Sequence, residues 1–92
     1  MIKNFKHKGL QAFFEKGKLA KIKASHANRL RLVLAKLNTS ASINDMNFPG
    51  SNLHPLKGNM KEFWSVDVNG NWRVVFKFDK EGAYDVDYID YH

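Results

Sequence analysis

The stretch Trp64-Ser65-Val66-Asp67-Val68-Asn69-Gly70-Asn71-Trp72-Arg73-Val74-Val75-Phe76-Lys77-Phe78 decides the architecture. Apolar and polar residues alternate along it, the mark of strands with one buried face. Asn69-Gly70 interrupts the alternation as a turn signal. A second turn, Asp79-Lys80-Glu81-Gly82, leads to Tyr84, Val86 and Tyr88, which alternate with Asp85, Asp87 and Ile89. The strongly apolar positions of the three strands are even-numbered. A one-residue slip sends a strand's whole apolar set to the other face, so keeping Val68 and Trp72 on one side requires an odd number of loop residues. A three-residue loop with Gly70 in the left-handed conformation meets that need. The stretch thus predicts an antiparallel meander with an even, core-facing side. Its odd side, carrying Ser65, Asp67, Arg73, Val75, Lys77 and Tyr91, is predicted to look away from the core and stay open, as antiparallel sheets permit.

Helices are predicted to cover the even face. Leu10, Phe13 and Phe14 follow Gly9 at helical spacing and stop near Gly17. Leu30, Val33, Leu34 and Leu37 fall at i, i+3, i+4 and i+7, one apolar stripe of a second helix, with Ser25 as its N-cap. Arg29, Arg31 and Lys36 lie off that stripe and read as a solvated face. Residues 2–7 alternate and predict a short N-terminal strand. Ser42 with Asp45 resembles a capping box around a short turn at Ile43 and Met46. Both prolines, with Gly50 and Gly58, make residues 48–58 a loop. The expected class is α+β: an N-terminal strand and two helices packed on one face of a small antiparallel sheet, in one domain spanning residues 1–92.

At 43% hydrophobic and 13% aromatic residues, the chain is too apolar for disorder. No apolar run approaches the ~20 residues of a membrane helix. No apolar region follows the basic N-terminus as a signal peptide requires. Cysteine is absent, which removes disulfide and thiolate chemistry and fits a cytoplasmic protein. Fifteen Lys and Arg against nine Asp and Glu give a net charge of +6 and favour a polyanionic partner such as nucleic acid. Thirteen of those fifteen lie at or before Arg73, and residues 79–90 are mostly acidic, so the surface should be polarised.

Three segments carry candidate chemistry: His54-Pro55-Leu56-Lys57-Gly58, Asn71-Trp72-Arg73-Val74-Val75-Phe76, and Asp90-Tyr91-His92. Each alone has a plain meaning: a surface histidine, an arginine paired with Asp85 or Asp87 across the sheet, a frayed end. In this order they resemble the HigB toxins, a branch of the RelE superfamily. The resemblance runs over nearly the whole chain. It includes the opening Ile2-Lys3-Asn4-Phe5-Lys6-His7-Lys8-Gly9-Leu10, the Phe14-Glu15-Lys16-Gly17 step, Trp64-Ser65 and Tyr88. The stretch from Ser40 to Asn52 is the least distinctive.

The resemblance implies a RelE-like fold and a type II toxin that cuts mRNA at the decoding site of the 30S ribosomal subunit. It also implies a co-expressed HigA-like helix-turn-helix antitoxin that neutralises the toxin, in a hetero-oligomer that binds operator DNA through the antitoxin. The catalytic set it implies is His54, Lys57, Arg73, Asp90, Tyr91 and His92, with Lys57, Arg73 and Lys77 on the RNA. Glu62 would bring a negative charge near the phosphate.

Elementary chemistry agrees. RNA is cut when its own 2′-hydroxyl attacks the adjacent phosphate, which calls for a base, an acid and cations rather than a metal or cofactor. Histidine suits the proton steps, with an ordinary pKa of ~6.5. Lys57 and Arg73 suit the phosphate, Arg73 with a bidentate fork. Tyr91 suits base stacking or donation to the phosphate. Asp90 would orient an imidazole or hold structure. Which of His54 and His92 is base and which is acid stays open. His7 and His26 have no partner motif and read as surface residues. The His and Asp spacings match no zinc or magnesium pattern. The alternative is a ParE-like toxin, which shares the fold and poisons gyrase without a nuclease site. Two histidines around a lysine and an arginine speak against it.

Overall fold

The three long strands form where the alternation predicts them. In the computed structural model, which describes residues 1–91, they are β2 (Trp64–Asn69), β3 (Trp72–Asp79) and β4 (Gly82–Asp90). A two-residue strand, β1 (His54–Pro55), lies inside the predicted loop, too short for any periodicity to reveal. The sheet is antiparallel with order β1-β2-β3-β4. Helices α1 (Lys8–Lys16) and α2 (Ala27–Thr39) match the two apolar stripes. Leu10, Phe13, Leu30, Val33, Leu34 and Leu37 form one core with Val66, Val74, Phe76, Val86 and Tyr88 of the sheet. The even face is therefore the core face, as predicted.

The odd residue needed between β2 and β3 sits in the strand rather than in the loop. Asp67 pairs with Arg73 but Asn69 pairs with Trp72, so Val68 is bulged and only Gly70 and Asn71 turn the chain. Gly70 has φ +56, the left-handed conformation the turn demands. A second bulge has no signal in the sequence. Val75 pairs with Asp87, yet Lys77 pairs with Tyr84, and Asp85 takes φ +51. The extra residue in β4 moves Tyr84 onto the face of Lys77, away from the core side that its even number predicts.

That bulge also explains the N-terminus. Residues 2–7 form no regular strand. They make two isolated parallel bridges, Ile2 to Ala83 and Phe5 to Val86, along the free edge of β4. Between the bridges the ladder is replaced by side chains. The Asp85 N–H donates to Asn4 Oδ1 at 2.8 Å, and Asn4 Nδ2 donates to Asp85 Oδ1 at 3.0 Å.

Several side chains that read as surface prove structural. His26 is 3% exposed and shares a 2.6 Å hydrogen bond with the Tyr88 hydroxyl, its ring edge-on to Trp72. Burial, and then the charge of Lys23, hold its pKa below the ordinary 6.5. His7 caps α1: its Nδ1 accepts from the Leu10 N–H at 2.9 Å, and its ring rests against Tyr88. Ser25 does not cap α2; it lies in a 3₁₀ turn, Ala24–His26, that leads into the helix. Arg29 leaves the solvated face to donate to the Gly50 carbonyl at 2.7 Å and the Asp67 carbonyl at 3.4 Å. Asp45 closes its box as predicted, accepting from the backbone N–H of Ala41 and Ser42.

The odd face is less open than its sequence suggests. Ser65 and Val75 are each 1% exposed. The 56–63 segment folds over this side: Lys77 lies over the Phe63 ring and within 3.8 Å of Glu62. The site is consequently a rim around a small covered centre, not a bare sheet.

Candidate functional site

Directly paired residues of antiparallel strands share a face. His54 pairs with Ser65, Ser65 with Val75, and Val75 with Asp87, which makes one row across the sheet. The next row is Asp67, Arg73 and Ile89. His54, Arg73 and Lys77 therefore stand on one side. From ordinary strand spacing, the Cα atoms of His54 and Arg73 lie roughly 12 Å apart, two strands and two residues. Their side chains can reach a common phosphodiester from that distance.

Arg73 does not pair with Asp85 or Asp87, the partners its sequence suggests. Its Nε meets Asp67 Oδ1 at 3.0 Å, and Nη1 donates to the carbonyls of Gly70 at 2.6 Å and Trp72 at 3.1 Å. The guanidinium is thus fixed on its inner edge, with its side chain 17% exposed. Among the described residues Nη2 makes no hydrogen bond.

His54 is half-buried, with Nδ1 2.8 Å from the Asn52 carbonyl. A carbonyl only accepts, so Nδ1 carries the proton and the neutral ring keeps its lone pair on Nε2. Lys57 is exposed at the start of a 3₁₀ turn, Gly58–Met60, on the loop that covers the odd face. Lys77 is held by two carboxylates, Glu62 at 3.8 Å and Asp85 at 3.7 Å. Glu62 thus faces a lysine. Lys77 also lines an open cleft with Lys3, Asn4, Asp79, Tyr84 and Asp85.

The C-terminal residues divide. Asp90 pairs with Trp72, whose side is the core side, so it stands on the face opposite Arg73. Tyr91 is 49% exposed, and its N–H donates to the Asn71 carbonyl at 2.7 Å. Tyr91 and Arg73 are both tied to the β2–β3 turn, which brings them to the same end of the sheet. His92 lies outside the described residues. Among the described residues no three His, Asp or Glu side chains converge as a metal ion would require.

Two residues of this neighbourhood carry no signal in the sequence. Asp67, the partner of Arg73, looks like one more polar residue of an alternating strand. Asn52, in the least distinctive stretch, has φ +47. An Asn in the left-handed region is a known turn signal, but the sequence does not show that its carbonyl meets the His54 ring.

Residues 3–92 match a family described as the RelE-like toxin of type II toxin-antitoxin system HigB. The chain is 42% identical to the endoribonuclease HigB of Proteus vulgaris over 92 residues, all of both chains. It is 32% identical to the toxin HigB-1 of Vibrio cholerae serotype O1 over 94 residues, covering all of this chain and 98% of that one.

Proposed function

The chain belongs to the RelE-like HigB toxins of type II toxin–antitoxin systems, and from that premise we propose that it is a ribosome-dependent, metal-independent mRNA endoribonuclease in which the whole chain acts as one toxin domain. The observation that carries this reading is the shared face of His54, Arg73 and Lys77, with Nε2 of His54 and Nη2 of Arg73 making no hydrogen bond among the described residues. A neutral imidazole accepts the proton of the 2′-hydroxyl as its oxygen attacks the phosphorus. The bond to the 5′-oxygen breaks as that oxygen is protonated by a second group. The products are a 2′,3′-cyclic phosphate and a 5′-hydroxyl. Arg73, Lys57 and Lys77 balance the charge on the phosphorane. His54 and His92 share the proton steps, and Tyr91 receives a base or donates to the phosphate. Asp90 holds the strand end from which these last residues issue.

The ribosome enters because the face is shallow. A rim of a few side chains does not fix a flexible RNA in line, and positioning is the largest contribution available to such a reaction. The 30S decoding site supplies it. A HigA-like helix-turn-helix antitoxin neutralises the toxin in the cytoplasm, and the hetero-oligomer binds operator DNA through the antitoxin.

The test is to incubate the purified protein with ribosomes programmed with a defined mRNA, and with the same RNA free, and to map the ends. Cleavage should require the ribosome and survive chelation once the ribosomes are stabilised by polyamines. It should leave a 2′,3′-cyclic phosphate or its 3′-phosphate. Equal cutting of free RNA, or a 3′-hydroxyl end, would overturn the proposal.

A further inference from the structure

We infer that Asn52 and Asp67 are positioning residues that join His54 to Arg73 as one unit. The inference rests on the reading of those two as the reacting groups, and it adds what holds them in register.

The connection is continuous. Arg73 Nε meets Asp67 Oδ1 at 3.0 Å. The other oxygen of the same carboxylate, Oδ2, accepts from Asn52 Nδ2 at 3.4 Å. The backbone carbonyl of Asn52 then accepts from His54 Nδ1 at 2.8 Å. Oδ1 is buried and makes the ion pair without a hydrogen bond, while Oδ2 takes the Asn52 amide, so Asp67 sits between the arginine and the loop that delivers the histidine. The backbone of Asp67 repeats the link, its N–H donating to the Ser51 carbonyl at 2.8 Å.

This linkage matters because the ladder at His54 is short. Strand β1 has two residues, continued by one bond from the Leu56 N–H to the Phe63 carbonyl, so it sets the face of His54 with little pairing to hold it there. The segment before it is pinned at three successive residues, all from around Asp67. Arg29 holds Gly50, the Asp67 N–H holds Ser51, and the Asp67 carboxylate holds Asn52. Asn52 is kept at φ +47, a conformation that costs an L-residue free energy and persists where surroundings impose it. In that conformation its carbonyl points at the imidazole, which fixes the tautomer and leaves Nε2 for substrate. The same carboxylate stands beside Nε of Arg73, whose Nη1 the Gly70 and Trp72 carbonyls hold. One carboxylate thus links the loop that carries the base to the phosphate clamp. Such coupling suits a reaction in which a displacement of ~1 Å costs ~10²-fold in rate.

The test uses Asp67→Asn and Asn52→Gly in the full chain, assayed on ribosomes at saturating and limiting concentrations. Asp67→Asn keeps the shape and removes the charge. Asn52→Gly keeps the left-handed backbone and its carbonyl while removing the amide. Each should lower kcat by ~10–100-fold, with KM changed less than ~3-fold and the melting temperature within a few degrees of wild type. The double variant should be no worse than Asp67→Asn alone, because both break one chain of contacts. Wild-type kcat in both variants, with Arg73→Ala and His54→Ala inactive, overturns the inference and leaves the proposed function standing. Full multiplicative loss in the double variant also overturns it, since independent sites multiply. If Arg73→Ala and His54→Ala are themselves fully active, the underlying site is wrong and the inference falls with it. Should Asp67→Asn fail to fold, Asn52→Gly, which alters one exposed side chain, decides by its kcat alone.

Discussion

Arg73 places Nε beside Asp67 and Nη1 on two backbone carbonyls, and the proposed site uses the remaining Nη2 for an anion. A lysine has one compact ammonium and cannot do both. Arg73→Lys should therefore fold and keep the positive charge, yet cleave at least ~10²-fold more slowly, close to Arg73→Ala. Single-turnover rates on programmed ribosomes test this, and a Lys variant near wild type would show that charge alone suffices. His26 offers a prediction of a different kind. Burial lowers its pKa, so the folded protein keeps the ring neutral where the unfolded chain takes up a proton. Its stabilising effect is complete above ~6.5, the ordinary histidine value, and is lost as pH falls below it toward the depressed folded value. His26→Asn can still bond Tyr88 but cannot titrate. The gap in melting temperature between wild type and this variant should move in the variant's favour between pH 7.5 and 5.5; parallel curves would remove His26 from the account. At this scale short motifs draw attention to His54, Lys57 and Arg73, and the structure sets His54 and Arg73 on one face. The sequence is silent where meaning comes from a distant contact. Tyr88, the partner of His26, is 62 positions away, and Asp67 matters to Asn52 from 15 positions away.

Elements are more legible than residues because period-two and period-3.6 patterns survive without tertiary information. Both helices and three of the four strands lie where apolar spacing puts them. What the pattern misses are its interruptions: the bulge at Val68, the bulge at Asp85 and the two residues of β1. A bulge changes which face a residue occupies without changing the composition of the strand, which is why Tyr84 stands on the side opposite to the one its alternation predicts. The edge of β4 carries its own prediction. Gly82 has φ +141, and a methyl group there would overlap the Met1 carbonyl oxygen. Gly82→Ala should displace the N-terminal segment and cost about 2–3 kcal/mol, measured by chemical denaturation; an unchanged midpoint would mean that the edge is not closed in solution. The far end of β4 should behave in the opposite way. Removing residues 91 and 92 takes nothing described from the core, and Tyr91 is half exposed. Stability should fall by less than ~1 kcal/mol, while loss of a proton-transfer group should reduce cleavage by ~10²–10⁴-fold. A truncated protein that melts normally and still arrests growth would strip the terminal residues of their catalytic role.

Over the whole chain, charge is unevenly divided. Residues 1–40 hold ten Lys and Arg and one Glu, whereas the rest of the chain holds five Lys and Arg against eight Asp and Glu. The polarisation expected from sequence is thus set by the helical half, while Arg73 and Lys77 on the sheet are already paired. Attraction to ribosomal RNA should come from the former and catalysis from the latter. Lys6→Gln with Lys18→Gln should weaken ribosome association and flatten its salt dependence, by up to ~0.7–0.9 in the log–log slope for each phosphate no longer neutralised. The rate of the saturated complex should stay unchanged. A drop in that rate would show that these lysines reach the reacting RNA. One consequence of the N-terminal bridges concerns time. Ile2 and Phe5 find their partners at Ala83 and Val86, so residues made early wait for residues made much later. During translation the meander can pair strand by strand as it emerges, but the edge closes only when β4 has been made. A chain that stops short of β4 is therefore left with an open sheet edge and an N-terminal segment that has lost both of its bridging partners.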